Sequence, residues 1–330
     1  MKKENYILNK SHPPLDKELE KPLHEILKKL PAPLTPNLIP RSRELTVEGT
    51  LSDSEINRNG AFTFQEIEIK GYQDSIISLI ICQPTSTYSP AAVIYNIHGG
   101  GMVSGNNRTA ELAGELKRAE QLQLSVVSVN YRLAPEHQDP IPLEDCYAGL
   151  KWLSTNLNKY NFQSDRIIIS GNSAGGGLAA GVTLLARDRK GPNIMAQMLQ
   201  CPMLDDRCNT PSALQMQGIG LWETTSNITG WDSLLGARRG NKQVSHYTSP
   251  ARAEDLSCLP PTFIDVGAVE SLRDEAIDYA KRIWLSGGDA ELHVWGGAFH
   301  SFDQWVPDAI VSRSADETRI KWMKRLLQYK

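Results

Sequence analysis

Apolar residues at Leu15, Leu19, Leu23, Ile26, Leu27 and Leu30 recur at helical spacing and predict a helix across residues 15–30. The prolines from Pro31 to Pro40 end it. Beyond residue 60 the pattern changes. Phe62–Ile69 and Ser75–Cys82 read as two strands joined by a turn at Gly71–Asp74. Further short apolar runs follow at Ala91–Ile97, Ser125–Val129, Arg166–Ser170, Ala196–Leu199, Thr262–Val266 and Leu292–Trp295. The consecutive Ile167, Ile168 and Ile169 mark a strand buried on both faces. Helical patterns over Thr109–Leu122, Leu143–Leu157, Leu178–Arg187 and Leu272–Leu285 fall between the strands, and Lys321–Leu327 closes the chain.

Strand and helix in alternation predict an α/β fold, with a mostly parallel eight-stranded sheet covered by helices on both faces. Ligands of such sheets bind beyond the carboxyl ends of the strands. Residues 205–258 interrupt the rhythm with Met216, Trp222, Trp231 and several glycines, and no clear strand. An insertion of that length after a strand is well placed to form a lid. The expected division is an N-terminal arm over 1–60 and a catalytic domain over 61–330, with 205–258 contributing to a cap.

Two glycine-rich turns stand at strand ends. Gly171-Asn172-Ser173-Ala174-Gly175 is a G-x-S-x-G sequence between a predicted strand and a predicted helix. A serine there sits on a tight turn, and the helix that follows favours developing negative charge. Serine needs a base beside it to act as a nucleophile, so Ser173 calls for a histidine. Neither turn carries the G-K-[ST] ending of a phosphate loop. His98-Gly99-Gly100-Gly101 follows the Ala91–Ile97 strand. Its successive glycines let backbone N–H groups face an oxygen unobstructed. The expected oxyanion donors are the amides of Gly99, Gly100 and Ala174. His98 is expected to orient that loop rather than to serve as the base.

Of the seven histidines, only His246, His293 and His300 follow a plausible acid in the order serine, acid, histidine. His293 lies inside a strand, and His246 precedes the last strands. His300, in the loop after the last strand, is the expected base. The acid is sought after the Thr262–Val266 strand, among Asp265, Glu270 and Asp274. Asp274 is also explained by the dipole of the helix it starts. Glu270, in the intervening loop, is the preferred choice. Its task is to fix the imidazole tautomer and stabilise the imidazolium.

His98–Gly101 and Gly171–Gly176 together resemble the hormone-sensitive-lipase-like group of α/β hydrolases, the bacterial family IV esterases. Tyr131–His137, Leu143–Tyr147, Leu272–Glu275 and Ala298–Phe302 match the same group in the same order, so the resemblance spans roughly residues 60–325. It implies an α/β-hydrolase fold with a helical cap and a carboxylester hydrolase acting on short to medium acyl chains, without metal or cofactor. The chain departs from the group at Glu270, where Asp is usual, and at Asn172, where Asp is common. A Ser-His-Glu set preserves the chemistry. An amidase or peptidase with the same three residues, or a non-catalytic binding protein on the same fold, are the alternatives.

Other residues refine the picture. Met102 and Ser104 continue the glycine loop with Val103 between them. They are candidate substrate contacts with Trp222 and Phe302, and Trp231 is a further candidate. Tyr131–His137 reads as a structural loop pinned by Arg132 and Glu136. Glu144 and Asp145 are attributed to the dipole of the helix they begin.

A net charge of −3 leaves no basic excess to bind phosphates, so nucleic acid is not an expected partner. The start, Met1-Lys2-Lys3-Glu4-Asn5, lacks the apolar run of a signal peptide, and no stretch reaches membrane-spanning length. Five irregularly spaced cysteines give neither a disulfide framework nor a paired-cysteine zinc site, so a cytoplasmic setting is expected. The last strand is expected at a sheet edge, where a homodimer could pair.

Overall fold

The computed structural model describes residues 12–86, 92–162 and 166–328. Ala91 and the Met1–Asn5 start lie outside them. Eight strands form one sheet: β1 (Phe62–Lys70), β2 (Ile76–Pro84), β3 (Val93–Ile97), β4 (Ser125–Asn130), β5 (Ile167–Asn172), β6 (Ala196–Gln200), β7 (Thr262–Gly267) and β8 (Ala290–Trp295). Their order is β1-β2-β4-β3-β5-β6-β7-β8. Only β2 runs antiparallel to its neighbours; β4, β3, β5, β6, β7 and β8 are parallel. β3, β5, β6 and β7 are buried at every residue, which explains their unbroken apolar runs.

The helices are α1 (Lys17–Leu27), α2 (Ile39–Glu48), α3 (Asp53–Asn57), α4 (Ala110–Leu122), α5 (Ile141–Asn156), α6 (Ala174–Asp188), α7 (Pro211–Gln215), α8 (Thr224–Leu235), α9 (Arg273–Leu285), α10 (Phe302–Trp305) and α11 (Ile310–Gln328). None is long and apolar enough to cross a membrane. α2, α3, α7, α8 and α10 have no counterpart in the expected pattern, and α6 and α11 begin well before their expected starts. The prolines after residue 30 do end α1, which stops at Leu27 and is followed by an irregular stretch, but Pro40 then sits in the first turn of α2, where its missing N–H is no loss. α11 begins eleven residues before the predicted Lys321, because Ser312 and Arg319 are polar residues on its buried face.

α6 begins at Ala174, directly after the serine, and the glycines of its first turn conceal it from a propensity reading. Packing accounts for them: a Cβ on Gly175 would lie 2.0 Å from the Ile97 carbonyl oxygen. This close approach sets the start of α6 against the end of β3 and brings the two glycine-rich turns together.

α1 is capped by Asp16, whose carboxylate accepts the Glu18 N–H at 2.7 Å. Its Leu19 and Leu23 pack with Phe299, Phe302, Ala309 and Ala315. α1 is thereby fastened to the loop beside the sheet's carboxyl end. Segment 205–258 contains α7 and α8 but, among the described residues, no strand.

Candidate active site

Ser173 occupies the turn between β5 and α6 at φ 56°, ψ −120°, a backbone region costly for a non-glycine residue. The turn is held by its own amide, which donates to the Gln200 carbonyl at 2.8 Å, and by the Met203 amide donating to its carbonyl at 2.9 Å. Such strain persists only where the surroundings over-determine it. Here it lifts the hydroxyl clear of the sheet end, where Ser173 Oγ lies 2.9 Å from His300 Nε2.

His300 lies in the loop after β8, and Glu270 in the loop after β7. Backbone bonds stitch the loops together: Ala268 N–H donates to the Trp295 carbonyl at 2.8 Å and Val269 N–H to that of Ala298 at 2.9 Å. Glu270 Oε1 lies 3.2 Å from His300 Nδ1, and its other oxygen accepts the Gly267 N–H at 3.1 Å. Serine, histidine and glutamate are all buried, at 4%, 5% and 2% exposure. An acid on Nδ1 leaves the Nε2 lone pair free for the serine proton. Burial acts to lower the imidazole's pKa, but the acidic groups of Cys201 and Glu270 outweigh it and push it well above the ordinary histidine value.

The other titratable candidates are engaged elsewhere. Asp265 is bound by Arg319 and Trp295, and Asp274 by the Ser212 amide and Arg273. His246 is 3.9 Å from Asp188, and His293 stacks against Phe263 and Trp295 in β8. His98 stacks on Tyr131 with centroids 4.2 Å apart, and its Nδ1 lies 2.8 Å from the Gly99 carbonyl. Burial pushes its pKa down to about 4, so it stands as a neutral brace for the glycine loop.

A cavity of about 300 Å³ opens over Ser173 and His300. One side is built by Leu30, Leu34, Leu45 and Thr46 from the N-terminal arm. Leu221, Trp222 and Ser226 from segment 205–258 form another, and Gln304 and Trp305 of α10 complete the rim. The Trp222 ring lies 6.1 Å from that of His300, and its indole donates to Asn227 Oδ1 at 3.2 Å. A larger open groove, about 520 Å³ beside Arg43, Glu136 and His137, is lined by Ser78, whose hydroxyl donates to Glu66 at 3.0 Å and not to a histidine.

Several expected contacts need correcting. Ser104 and Trp222 line the cavity, but Met102 and Phe302 do not. Met102 is fully buried at φ 64°, with Val103 and Trp231 in the main core. The left-handed turn directs its side chain away from the cavity. Phe302 follows Ser301 at φ 55° and turns into the α1 cluster. Gly100 and Gly101 are on the cavity wall and Gly99 is not. A Cβ on Gly99 would instead face the Asn172 carbonyl at 3.0 Å.

Asp145 is no dipole residue either. It is fully buried and binds Arg132 at 2.8 Å and the Tyr72 amide at 2.8 Å. Glu144 pairs with Arg189. Glu136 does pin its loop, through Arg43. Sequence reasoning missed the wall residues of α2 and α10, whose alternation carries no signal of a ligand.

A family model described as the alpha/beta hydrolase fold matches residues 94–304. Esterase LipI of Mycobacterium tuberculosis is 31% identical over 230 residues, covering 69% of this chain and 71% of LipI. Carboxylic ester hydrolase LipN of the same organism is 33% identical over 219 residues, covering 65% of this chain and 57% of LipN. A solved bacterial heroin esterase superposes with a TM-score of 0.83 at 33% identity, over 94% of this chain and 98% of that one. With its glycine-loop and G-x-S-x-G motifs on one sheet end, the chain belongs to the α/β-hydrolase family, in its hormone-sensitive-lipase-like group.

Proposed function

We propose that the protein is a serine carboxylesterase working through Ser173, His300 and Glu270. The observation that carries this reading is the chain of two short contacts, 2.9 Å from serine to imidazole and 3.2 Å from imidazole to glutamate. Ser173 Oγ attacks the ester carbonyl as His300 Nε2 takes its proton. Glu270 holds the Nδ1–H and the charge that forms on the ring. The tetrahedral oxyanion is received by backbone amides. The cavity wall favours Gly100 and Gly101, one residue along from the expected Gly99 and Gly100, and the amide of Ala174, directly after the serine, remains the third expected donor. His300 then protonates the leaving alcohol, and water repeats the sequence on the acyl-enzyme.

A cavity of about 300 Å³ is at the small end for ligand sites, which supports short to medium acyl chains. The arm over 1–60 and segment 205–258 act as its cap. The free cysteines suit a reducing, cytoplasmic setting.

The test is hydrolysis of p-nitrophenyl esters of increasing chain length by the wild type and by Ser173→Ala. Turnover confined to the wild type is the expected outcome, with the rate falling at long chains. Activity retained by the variant rejects Ser173 as nucleophile. Inactivity of both on every ester, with turnover of the matching anilides, moves the function to the amidase reading.

A further inference from the structure

Cys201 follows the last residue of β6, and no step of the proposed reaction uses it. Its backbone is held at φ 37°, in the left-handed region that non-glycine residues avoid. Its sulfur accepts the Asn172 side-chain amide at 3.3 Å and lies 3.6 Å from Ser301 Oγ. Ser301 in turn donates to Asn172 Oδ1 at 3.0 Å. Sulfur, imidazole nitrogen and carboxylate oxygen from Cys201, His300 and Glu270 all lie within 4.8 Å of one another, and all three residues are buried. They come from three loops at one end of the sheet, so no spacing in the sequence announces them.

We propose that Cys201, His300 and Glu270 form an inhibitory site for a thiophilic divalent cation of the zinc type. The inhibitory part rests on the catalytic reading given under Proposed function. One sulfur, one nitrogen and one oxygen ligand make a set that zinc accepts, with water in the fourth position. Magnesium and calcium prefer all-oxygen sets. Bond lengths to zinc of about 2.0–2.3 Å require the three side chains to draw in by roughly 1 Å.

The nitrogen facing Glu270 is Nδ1. An ion seated among the three groups takes that lone pair, and the imidazole keeps its one proton on Nε2. Nε2 then donates to Ser173 and cannot accept its proton, so the first step of hydrolysis is blocked. At sulfur, one S–H bond breaks as one metal–sulfur bond forms. The proton goes to solvent and no oxidation state changes.

The experiment uses the full chain carrying Cys258→Ser, because Cys258 is the exposed cysteine and a competing ligand. Zinc chloride is titrated against ester hydrolysis with and without Cys201→Ala. Each rate is referred to the same protein in chelator. The half-inhibiting zinc concentration is expected to rise at least about 100-fold on loss of the sulfur, since even outer partners of metal ligands are worth 10–100-fold. Cobalt(II) gives a second readout that needs no hydrolysis. A sulfur-to-cobalt charge-transfer band is expected with Cys201 present and absent without it. Cys201→Ser, closer in size, repeats the comparison should alanine perturb the fold. Equal inhibition of both proteins, or a cobalt–sulfur band that survives the substitution, overturns the proposal. Absence of ester turnover would fail the catalytic reading alone, and the cobalt spectrum would still decide whether the ion binds.

Discussion

Arg319 and Asp265 form a buried ion pair, with Arg319 Nη2 2.7 Å from Asp265 Oδ2. The arginine comes from α11 and the aspartate from the end of β7, so the pair ties the last helix to the sheet. Asp303 shares the same guanidinium. Replacing Arg319 with Met leaves two carboxylates without their cation. The expected loss is about 3–5 kcal/mol of stability, read from the denaturant midpoint. A loss under about 1 kcal/mol would show that the carboxylates relax to water or to other partners.

That pairing also separates the acids by role. Glu270→Gln is expected to lower kcat by up to about 10⁴-fold, because the amide no longer fixes the imidazole tautomer. Asp274→Asn, whose carboxylate faces Ser212 and Arg273, is expected to keep kcat within a few fold. Steady-state kinetics on one short ester decides the matter, and a reversed ranking would reassign the acid.

The pH dependence follows from His300. Only neutral imidazole can take the serine proton, and its acidic neighbours hold the pKa above the usual value of about 6.5. As pH falls through that raised pKa, the base is protonated and activity is lost. The ascending limb of kcat/KM should therefore lie on the alkaline side of an ordinary histidine. His98, lowered to about 4, contributes no second limb in the neutral range. An acidic limb centred below 6.5 would contradict this arrangement.

Gly101 and Trp222 set the cavity floor between them. A Cβ on Gly101, at φ 61°, would come within 2.4 Å of the indole ring. Gly101→Ala should displace Trp222 and weaken oxyanion stabilisation, costing up to about 3 kcal/mol of barrier in kcat. Trp222→Ala should leave the loop intact and shift preference towards longer acyl chains. Chain-length profiles of the two variants distinguish the effects.

β8 ends the sheet. Among the described residues no strand pairs with its outer edge, where a second copy is the proposed partner. Light scattering should give the mass of two chains; one chain at working concentration rejects edge pairing.

The strands along the chain, the serine turn and the loop of His300 were legible because each is written in contiguous residues: Ile167–Ile169 before the turn, glycines within it, Gly296 and Gly297 before the histidine. Side-chain direction was not. Met102 and Phe302 neighbour functional residues, yet each lies at or just after a left-handed residue that turns its side chain into the core. Asp145 looked like a helix-start carboxylate because its partners, Arg132 and Tyr72, are distant in sequence or belong to another motif. The Cys201 ligand set was invisible for the same reason: no local pattern links residues 201, 270 and 300.

The N-terminal arm supplies a wall of the cavity but none of the three groups proposed to carry the reaction. It is fastened by apolar packing of Leu19 and Leu23, contacts that tolerate replacement while volume is kept, and by the ion pair of Arg43 with Glu136. In the proposed reaction, selectivity and chemistry then fall to separate stretches of chain. Exchange of the first sixty residues can retune which acyl group fits while the relay from Ser173 to Glu270 stays untouched.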